Sequence, residues 1–312
     1  MRSLRIGTRG SKLALAQSGW VQKRIEERFP GTRFETVLIK TSGDQFVDTS
    51  LQAVGGKGIF VKEIEEALLR REIDLAVHSL KDLPTETARG LTLAAVPERE
   101  DPRDVLVSRN GVPLNALPAG ARLGTGSLRR KAQLLHYRPE LTVTAVRGNI
   151  DTRLKKLAKG DFDGIILAAA GLKRIGHEDR ITEFLSPEVC LSAVGQGALA
   201  LECREDDPLQ AKLSFMHHSP TYHAVTAERS FLRRLGGGCH VPVGALATTD
   251  GESLRVLGVV ADVQGHKLYR GENCGPTDEG ERLGRELAES LLTEGAEAVM
   301  SRIEEKGEEA FN

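Results

Sequence analysis

The feature that most restricts this fold is a rhythm. Short apolar runs are each followed by a polar or glycine-bearing turn and then by residues with helical spacing. Leu4 to Gly7 reads as a strand, Thr8-Arg9-Gly10 as a turn and Ser11 as a helix N-cap. Leu13, Ala16, Trp20, Val21, Ile25 and Phe29 then recur with helical period, and Pro30-Gly31 stops the helix. Glu35 to Ile39 predicts a second strand. Ile59 to Arg70 predicts a helix with Phe60, Ile64, Ala67 and Leu68 on one face, and Ile73 to His78 and Leu91 to Val96 predict two more strands. A charged, proline-bounded crossover, Pro97 to Asp104, leads into a second unit of the same kind. There Arg122 to Thr125, Leu141 to Val146 and Gly164 to Ala168 each run into a helix, starting at Ser127, near Ile150 and near Leu172. Strands alternating with helices imply a mostly parallel sheet covered on both faces. A second flexible crossing at Ser192 to Gly197, followed by the apolar stretch Ala198 to Leu201, suggests two hinged α/β units with a cleft.

From about Ser219 the pattern changes. Thr221 to Leu235 reads as a helix. Val243 to Ala247, Leu254 to Val263 and Lys267 to Arg270 alternate like antiparallel strands, and Glu279 to Glu304 reads as one long helix. This third unit is α+β. The expected division is 1–97 with 198–217 for the first α/β lobe, 103–192 for the second, and 219–312 for the α+β domain. With 312 residues, two or three domains are expected. At 40% hydrophobic and 28% charged residues, each can bury a core. The formal net charge of -1 points to neither nucleic acid nor anionic membrane, so any basic site must be a local concentration. The 4 cysteines form no Cys-x-x-Cys pair, and neither a metal cage nor a disulfide framework is expected. No signal core and no 18-residue apolar run is present, so a cytoplasmic, soluble chain is expected. Thr41 to Gly58, polar and glycine-rich, reads as a mobile loop.

Basic residues gather where strands end. Arg9, Lys81, Arg129, Arg130, Arg147 and Arg153 all follow strands, as does the hydroxyl of Ser127, and in open α/β sheets ligands bind outside the carboxyl ends of the strands. Helix N-termini there offer N–H donors to anions, and guanidinium forks match carboxylates. Several such positions in a nearly neutral protein point to a site for several carboxylates; taken singly, each arginine is more often a solvated surface group. Asp82 is a lone acid beside Lys81 in a strand exit. It can accept N–H groups, stabilise a cation and shuttle a proton, or it can simply pair with a neighbouring base. Leu235-Gly236-Gly237-Gly238-Cys239-His240-Val241-Pro242 places one thiol in a glycine turn at a helix end, either as a covalent attachment point or as a small buried apolar group. Other motifs fail. Val54-Gly55-Gly56-Lys57-Gly58 lacks Walker spacing, and Gly124-Thr125-Gly126 lacks a third glycine because Arg129 stands there. No Gly-x-Ser-x-Gly elbow exists, and His217-His218, side by side and so on different faces of any helix, is only a weak metal signal.

Across nearly the whole chain, particular segments resemble the porphobilinogen deaminase (hydroxymethylbilane synthase) family. They are Ile6-Gly7-Thr8-Arg9, Val54 to Gly58, Ala76-Val77-His78-Ser79-Leu80-Lys81-Asp82, Glu98 to Asp104, Ser127-Leu128-Arg129-Arg130, Arg147-Gly148-Asn149, Ala168 to Leu172, Val194-Gly195-Gln196-Gly197 and Gly237-Gly238-Cys239. Gly126 stands where serine is common, and Gly236 where an acid is frequent. The resemblance implies two periplasmic-binding-protein-like α/β lobes with a cleft, plus a smaller C-terminal α+β domain. It implies a dipyrromethane cofactor thioether-linked to Cys239. It also implies head-to-tail joining of four porphobilinogen molecules with loss of ammonia, hydrolysis then freeing hydroxymethylbilane for porphyrin and heme biosynthesis. By the same carry-over, Asp82, Lys81 and Arg9 are catalytic. Lys81, Asp82, Thr125, Ser127, Arg129, Arg130 and Gly148 hold the cofactor. Arg9, Ser11, Gln17, Lys57, Arg147, Arg153, Arg174 and Gln196 bind substrate, the loop carrying Lys57 acting as a lid. No metal, no nucleic acid, no membrane and a monomer are expected.

Two rivals stand beside this reading. A non-catalytic anion-binding module suits the strand-end arginines but leaves the Gly-Gly-Cys turn without a role. A cysteine hydrolase needs a histidine facing Cys239, and adjacent His240 is poorly placed for that.

Overall fold

The computed structural model describes residues 3–45, 61–236 and 241–306. Contacts divide the chain into two compact units: Met1–Glu100 with Ala198–Tyr222, and Asp101–Gly197 with His223–Asn312.

The first unit is built on a five-stranded sheet. Its strands run in the order Phe34–Leu38, Leu4–Thr8, Leu75–Ser79, Leu199–Arg204, Leu91–Ala95. The first three are parallel, as the strand–turn–helix rhythm requires. Helix Lys12–Arg28 covers one face, packing Val21 and Ile25 with Ile6, Leu75 and Val77. Helix Lys62–Leu69 covers the other, with Ile64, Ala67 and Leu68 on Ile73 and Ala76. The apolar stretch at Ala198 proves to be the start of a strand antiparallel to both its neighbours. It arrives from far along the sequence, so no crossover helix forces it parallel. The segment expected to be a loop from Thr41 opens instead with a helical turn, Ser42–Gln45. The Glu63 carboxylate accepts the Ser42 N–H at 2.8 Å and also its hydroxyl, which satisfies the start of that turn. Residues 46–58 of the expected loop lie outside the described residues.

The second unit holds a sheet of the same plan. Its order is Thr142–Thr144, Arg122–Gly124, Gly164–Ala168, Asp104–Ser108, Glu183–Phe184. The first three are again parallel, and Asp104–Ser108 is antiparallel to both neighbours. Helix Leu128–Tyr137 packs Leu134 over Leu123 and Val143, and helix Ile150–Lys159 packs Leu154 and Leu157 over Ile165 and Leu167. The charged crossover does not stay in solvent: its last residue, Asp104, begins a strand and is fully buried.

The same unit contains a three-stranded antiparallel meander, Val243–Thr249, Ser253–Ala261 and Leu268–Pro276. Helices Ser219–Arg234 and Gly280–Leu291 supply Ala227, Phe231, Leu283 and Leu287 to its core. The two helices approach backbone to backbone at Gly284, where a Cβ would fall 2.1 Å from the Ala227 carbonyl oxygen. The single helix expected from Glu279 to Glu304 is broken. A wider π-type turn, Leu292–Ala296, separates Gly280–Leu291 from Glu297–Lys306, with Gly295 at φ +120°. The architecture is therefore mixed α/β, with two sheet-rich lobes and a smaller C-terminal α+β part. No helix among the described residues is long and apolar enough to cross a membrane.

Candidate active site

In the first unit three parallel strands deliver their carboxyl ends to one edge. Arg9 follows the strand Leu4–Thr8, and Ser11 caps the next helix by accepting the Ala14 N–H at 3.2 Å. Lys81 and Asp82 sit in a single tight turn, Leu80–Asp82, directly after Leu75–Ser79. The turn is pinned where the Leu80 N–H donates to the Ala198 carbonyl at 3.0 Å. Gln17 is buried and donates from Nε2 to the Ser79 hydroxyl at 2.7 Å. Arg9, Gln17, His78, Ser79 and Asp82 line one recess whose apolar wall includes Val61 and Ile64. Asp82 is exposed at this recess and Lys81 is half-buried beside it. A carboxylate so placed can accept N–H donors or stabilise a cation, while Arg9 can hold an anion alongside.

The second unit repeats the arrangement with more cations. Ser127 and Asn149 cap the helices that follow Arg122–Gly124 and Thr142–Thr144. Thr125 is buried and its hydroxyl accepts the Ser127 N–H at 3.2 Å. Arg129 and Arg130 are buried and share the carboxylate of Asp104. Arg129 Nη1 lies 2.6 Å from Oδ2, Arg130 Nη2 lies 2.6 Å and its Nε 3.0 Å from Oδ1. Arg129 also donates to the Leu191 carbonyl at 2.5 Å, and Arg130 to that of Ile166 at 3.0 Å. Gln196, buried, donates to Asp104 Oδ1 at 2.8 Å and to the Pro102 carbonyl at 2.7 Å. Burial alone would raise the Asp104 carboxyl, but the two guanidiniums overcome it and hold the group well below the usual carboxylate range.

Arg153 completes this edge. It is half-buried, and its Nε donates to the Gly148 carbonyl at 2.7 Å. Gly148 has φ +102°, and a Cβ there would meet Thr152 at 2.7 Å, so this close turn requires glycine. Burial, then the charges of Arg130 and Arg147, push the Arg153 guanidinium down to about 10; no acid is among the groups that shift it. It remains a cation at neutral pH, crowded by like charges. That is the electrostatic setting a multiply charged carboxylate ligand relieves. Arg147 is half-buried in the same loop, and Arg174 donates to the Gly197 carbonyl at 2.7 Å.

Of the expected residues, the recess gathers Arg9, Gln17 and Asp82, with Ser11 and Lys81 flanking it. The second edge gathers Thr125, Ser127, Arg129, Arg130, Arg147, Gly148, Arg153 and Gln196. Cys239 and Lys57 lie outside the described residues. Sequence reasoning passed over Asp104, which it placed in a charged crossover, although an acid heading the apolar run Val105-Leu106-Val107 is a signal of a paired buried charge. It also gave no role to Glu202, an acid within the apolar strand Leu199–Arg204. Among the described residues no group of three or more His, Cys, Asp or Glu could hold a metal ion.

Residues 4–212 match the family model "porphobilinogen deaminase, dipyromethane cofactor binding domain", and residues 222–293 match the C-terminal domain of the same family. A porphobilinogen deaminase of Pelobacter propionicus is 52% identical over 303 residues, covering 97% of each chain. That of Geobacter metallireducens is 50% identical, covering 97% of this chain and 95% of its own. Among solved structures, the periplasmic aliphatic sulphonate binding protein SsuA of Escherichia coli aligns at 13% identity and TM-score 0.40, over 75% of this chain and 70% of its own. The methionine binding protein MetQ aligns at 12% identity and TM-score 0.43, over 72% and 93%. With both family models matched in order along most of its length, and relatives at half identity end to end, this chain belongs to the porphobilinogen deaminase family.

Proposed function

We propose that this chain is a hydroxymethylbilane synthase that joins four porphobilinogen molecules head to tail, releasing ammonia at each step, on a dipyrromethane held through Cys239. Family membership supports the reaction. The observation in the molecule that carries the assignment of residues is the guanidinium edge at Arg130, Arg147 and Arg153. Each porphobilinogen ring bears an acetate and a propionate, so a growing chain is densely anionic, and a half-buried cation crowded by two others fits such a group. When bound, the dipyrromethane supplies the pyrrole terminus that is lengthened.

The chain's own groups then divide the work. Arg147 and Arg153, backed by Arg129 and Arg130 on Asp104, bind ring carboxylates, with Ser127 and Thr125 at the helix start and Gly148 keeping the backbone close. In the recess, Arg9 orients a substrate carboxylate with Ser11 and Gln17, and Lys81 adds charge. Asp82 accepts pyrrole N–H groups and stabilises the positive methylene left when the amine departs. Gln196, Arg174 and Lys57 add to substrate binding. We place the protein in the cytoplasm as a monomer, acting on a small molecule with neither nucleic acid nor membrane as partner.

Intact-protein mass spectrometry tests this. The purified chain is expected to exceed its sequence mass by a two-pyrrole adduct, absent from Cys239→Ser. Asp82→Asn is expected to keep the adduct while turnover falls by at least about 10²-fold. An unmodified Cys239 in a chain that still makes bilane at full rate would remove the tethered primer from the scheme.

A further inference from the structure

His78, in the wall of the recess, forms a buried acid–imidazole pair with Glu202 of the neighbouring strand, and no role above uses it. The pairing register explains how they meet. Leu75–Ser79 and Leu199–Arg204 run antiparallel, with Ala200 opposite His78 and Glu202 opposite Ala76. His78 and Glu202 therefore share one face of the sheet as diagonal neighbours. His78 Nε2 lies 3.0 Å from Glu202 Oε2, with the two residues 5% and 0% exposed. This face lies under helix Lys62–Leu69, which brings Glu65 toward the pair; burial and then the charge of Glu202 push the Glu65 carboxyl up. Further along the strand Arg204 turns away to the Leu68 and Ile73 carbonyls and to Asp207. On the recess side the charged groups are Arg9 and Asp82.

As a stability device this pair is poor. Glu202 Oε1 is buried without a hydrogen-bond partner, and a half-satisfied buried acid is usually outperformed by an apolar residue. What the acid does provide is a fixed imidazole. An ionised Glu202 can only accept, so Nε2 carries its proton and Nδ1 is left as the ring's basic atom. An acid that sets the tautomer of a neighbouring histidine in a catalytic recess is the arrangement that makes imidazole a general base.

We propose that His78, oriented by Glu202, takes up the proton that each pyrrole coupling releases. This rests on the functional reading above. In one coupling the aminomethyl C–N bond breaks, its electron pair leaving with ammonia. A C–C bond then forms from the resulting methylene to the free ring carbon of the acceptor pyrrole. The C–H pair of that carbon returns to the ring, and the proton goes to Nδ1 of His78 and on to water. Asp82 then binds pyrrole N–H, stabilises the cation and helps the amine depart, and His78 takes the ring proton.

Three measurements on the full-length, adduct-bearing protein test the pair. Nitrogen-15 NMR of the wild type should show His78 as the Nε2-protonated tautomer when neutral, changing to a mixture in Glu202→Gln. His78→Asn should lower kcat roughly 10²-fold and Glu202→Gln about 10-fold, with adduct mass and KM nearly unchanged. Porphobilinogen deuterated at its free ring carbon should turn over like the protonated substrate in the wild type and show a normal isotope effect in both variants. An Nδ1-protonated tautomer in the wild type, variants near wild-type rates, or losses of rate with no isotope effect would each overturn the assignment. Should His78→Asn not fold, Glu202→Gln and the wild-type tautomer decide it alone. A wild-type chain that leaves porphobilinogen untouched would instead sink the functional reading, and the tautomer would still report on the pair.

Discussion

Asp104 shows what one side chain does for the cationic edge. Two buried guanidiniums point at one carboxylate, and Gln196 and the Cys190 thiol close the remaining sides, the thiol 3.3 Å from Oδ2. Burial and the charge of Asp104 push that thiol up to about 12, so Cys190 is an inert neighbour here. Replacing Asp104 by Asn keeps the shape but leaves Arg129 and Arg130 buried without their counter-charge. A loss of about 3 to 5 kcal/mol in unfolding free energy near neutral pH is expected by urea titration. The sign with pH follows from the lowered carboxyl. Its stabilisation is fully present above the ordinary value of 3.8 and is lost only as pH falls toward the lower folded-state value. The gap between wild type and Asp104→Asn should therefore stay flat through the neutral range and narrow only in strong acid; a gap that closes between neutral and mildly acidic pH would count against this pairing. The arginines themselves could be read from the sequence because they follow strands. Their partner could not, because a single acid in a charged stretch looks the same whether it heads a buried strand or stays in water.

Elements were readable where periodicity was long, as in Lys12–Arg28 and the first two strands of the meander, and misread elsewhere: the third strand, expected at Lys267 to Arg270, runs Leu268–Pro276, and other elements yield where a contact overrides the pattern. Ser42–Gln45 is helical because Glu63, far along the sequence, accepts its first N–H. The C-terminal helix breaks at Gly295 although its apolar spacing continues from Leu283 to Met300. At φ +120° only glycine is comfortable, and a Cβ there would fall 2.9 Å from the Tyr269 hydroxyl. The break lets Ala296, Val299 and Met300 re-aim into the core that Leu283, Leu287 and Leu291 already fill. Gly295→Ala should accordingly destabilise by about 1 to 2 kcal/mol, from backbone strain and the tyrosine contact together. Chemical denaturation checks this. A neutral or stabilising result would mean that the helix can run straight, as its sequence pattern alone suggests.

At the scale of the whole molecule, the sequence suggested three parts, but it gave no means of seeing how the meander is fastened within its unit. Glu228 is the centre of that fastening. Fully buried, it accepts the Gly195 N–H at 2.7 Å and the Ala247 N–H at 2.8 Å, tying helix Ser219–Arg234 to the segment carrying Gln196 and to the first strand of the meander. The Ala245 N–H donates to the Ser192 carbonyl at 3.1 Å, the Gly265 carbonyl lies 2.9 Å from His136 Nδ1, and Arg270 donates to the carbonyls of Pro187 and Glu188. These bonds join the five-stranded and three-stranded sheets of the second unit in several places at once, so the two should open as one cooperative body. Glu228→Ala would leave two buried N–H groups unpaired and remove the central tie, at a cost of about 3 kcal/mol. Hydrogen exchange followed by mass spectrometry should then show faster exchange in the strands 122–124 and 164–168 as well as in 243–249 and 253–261. Acceleration confined to the meander would mean that it opens alone, and helix Ser219–Arg234 would then be free to shift without disturbing the arginine edge.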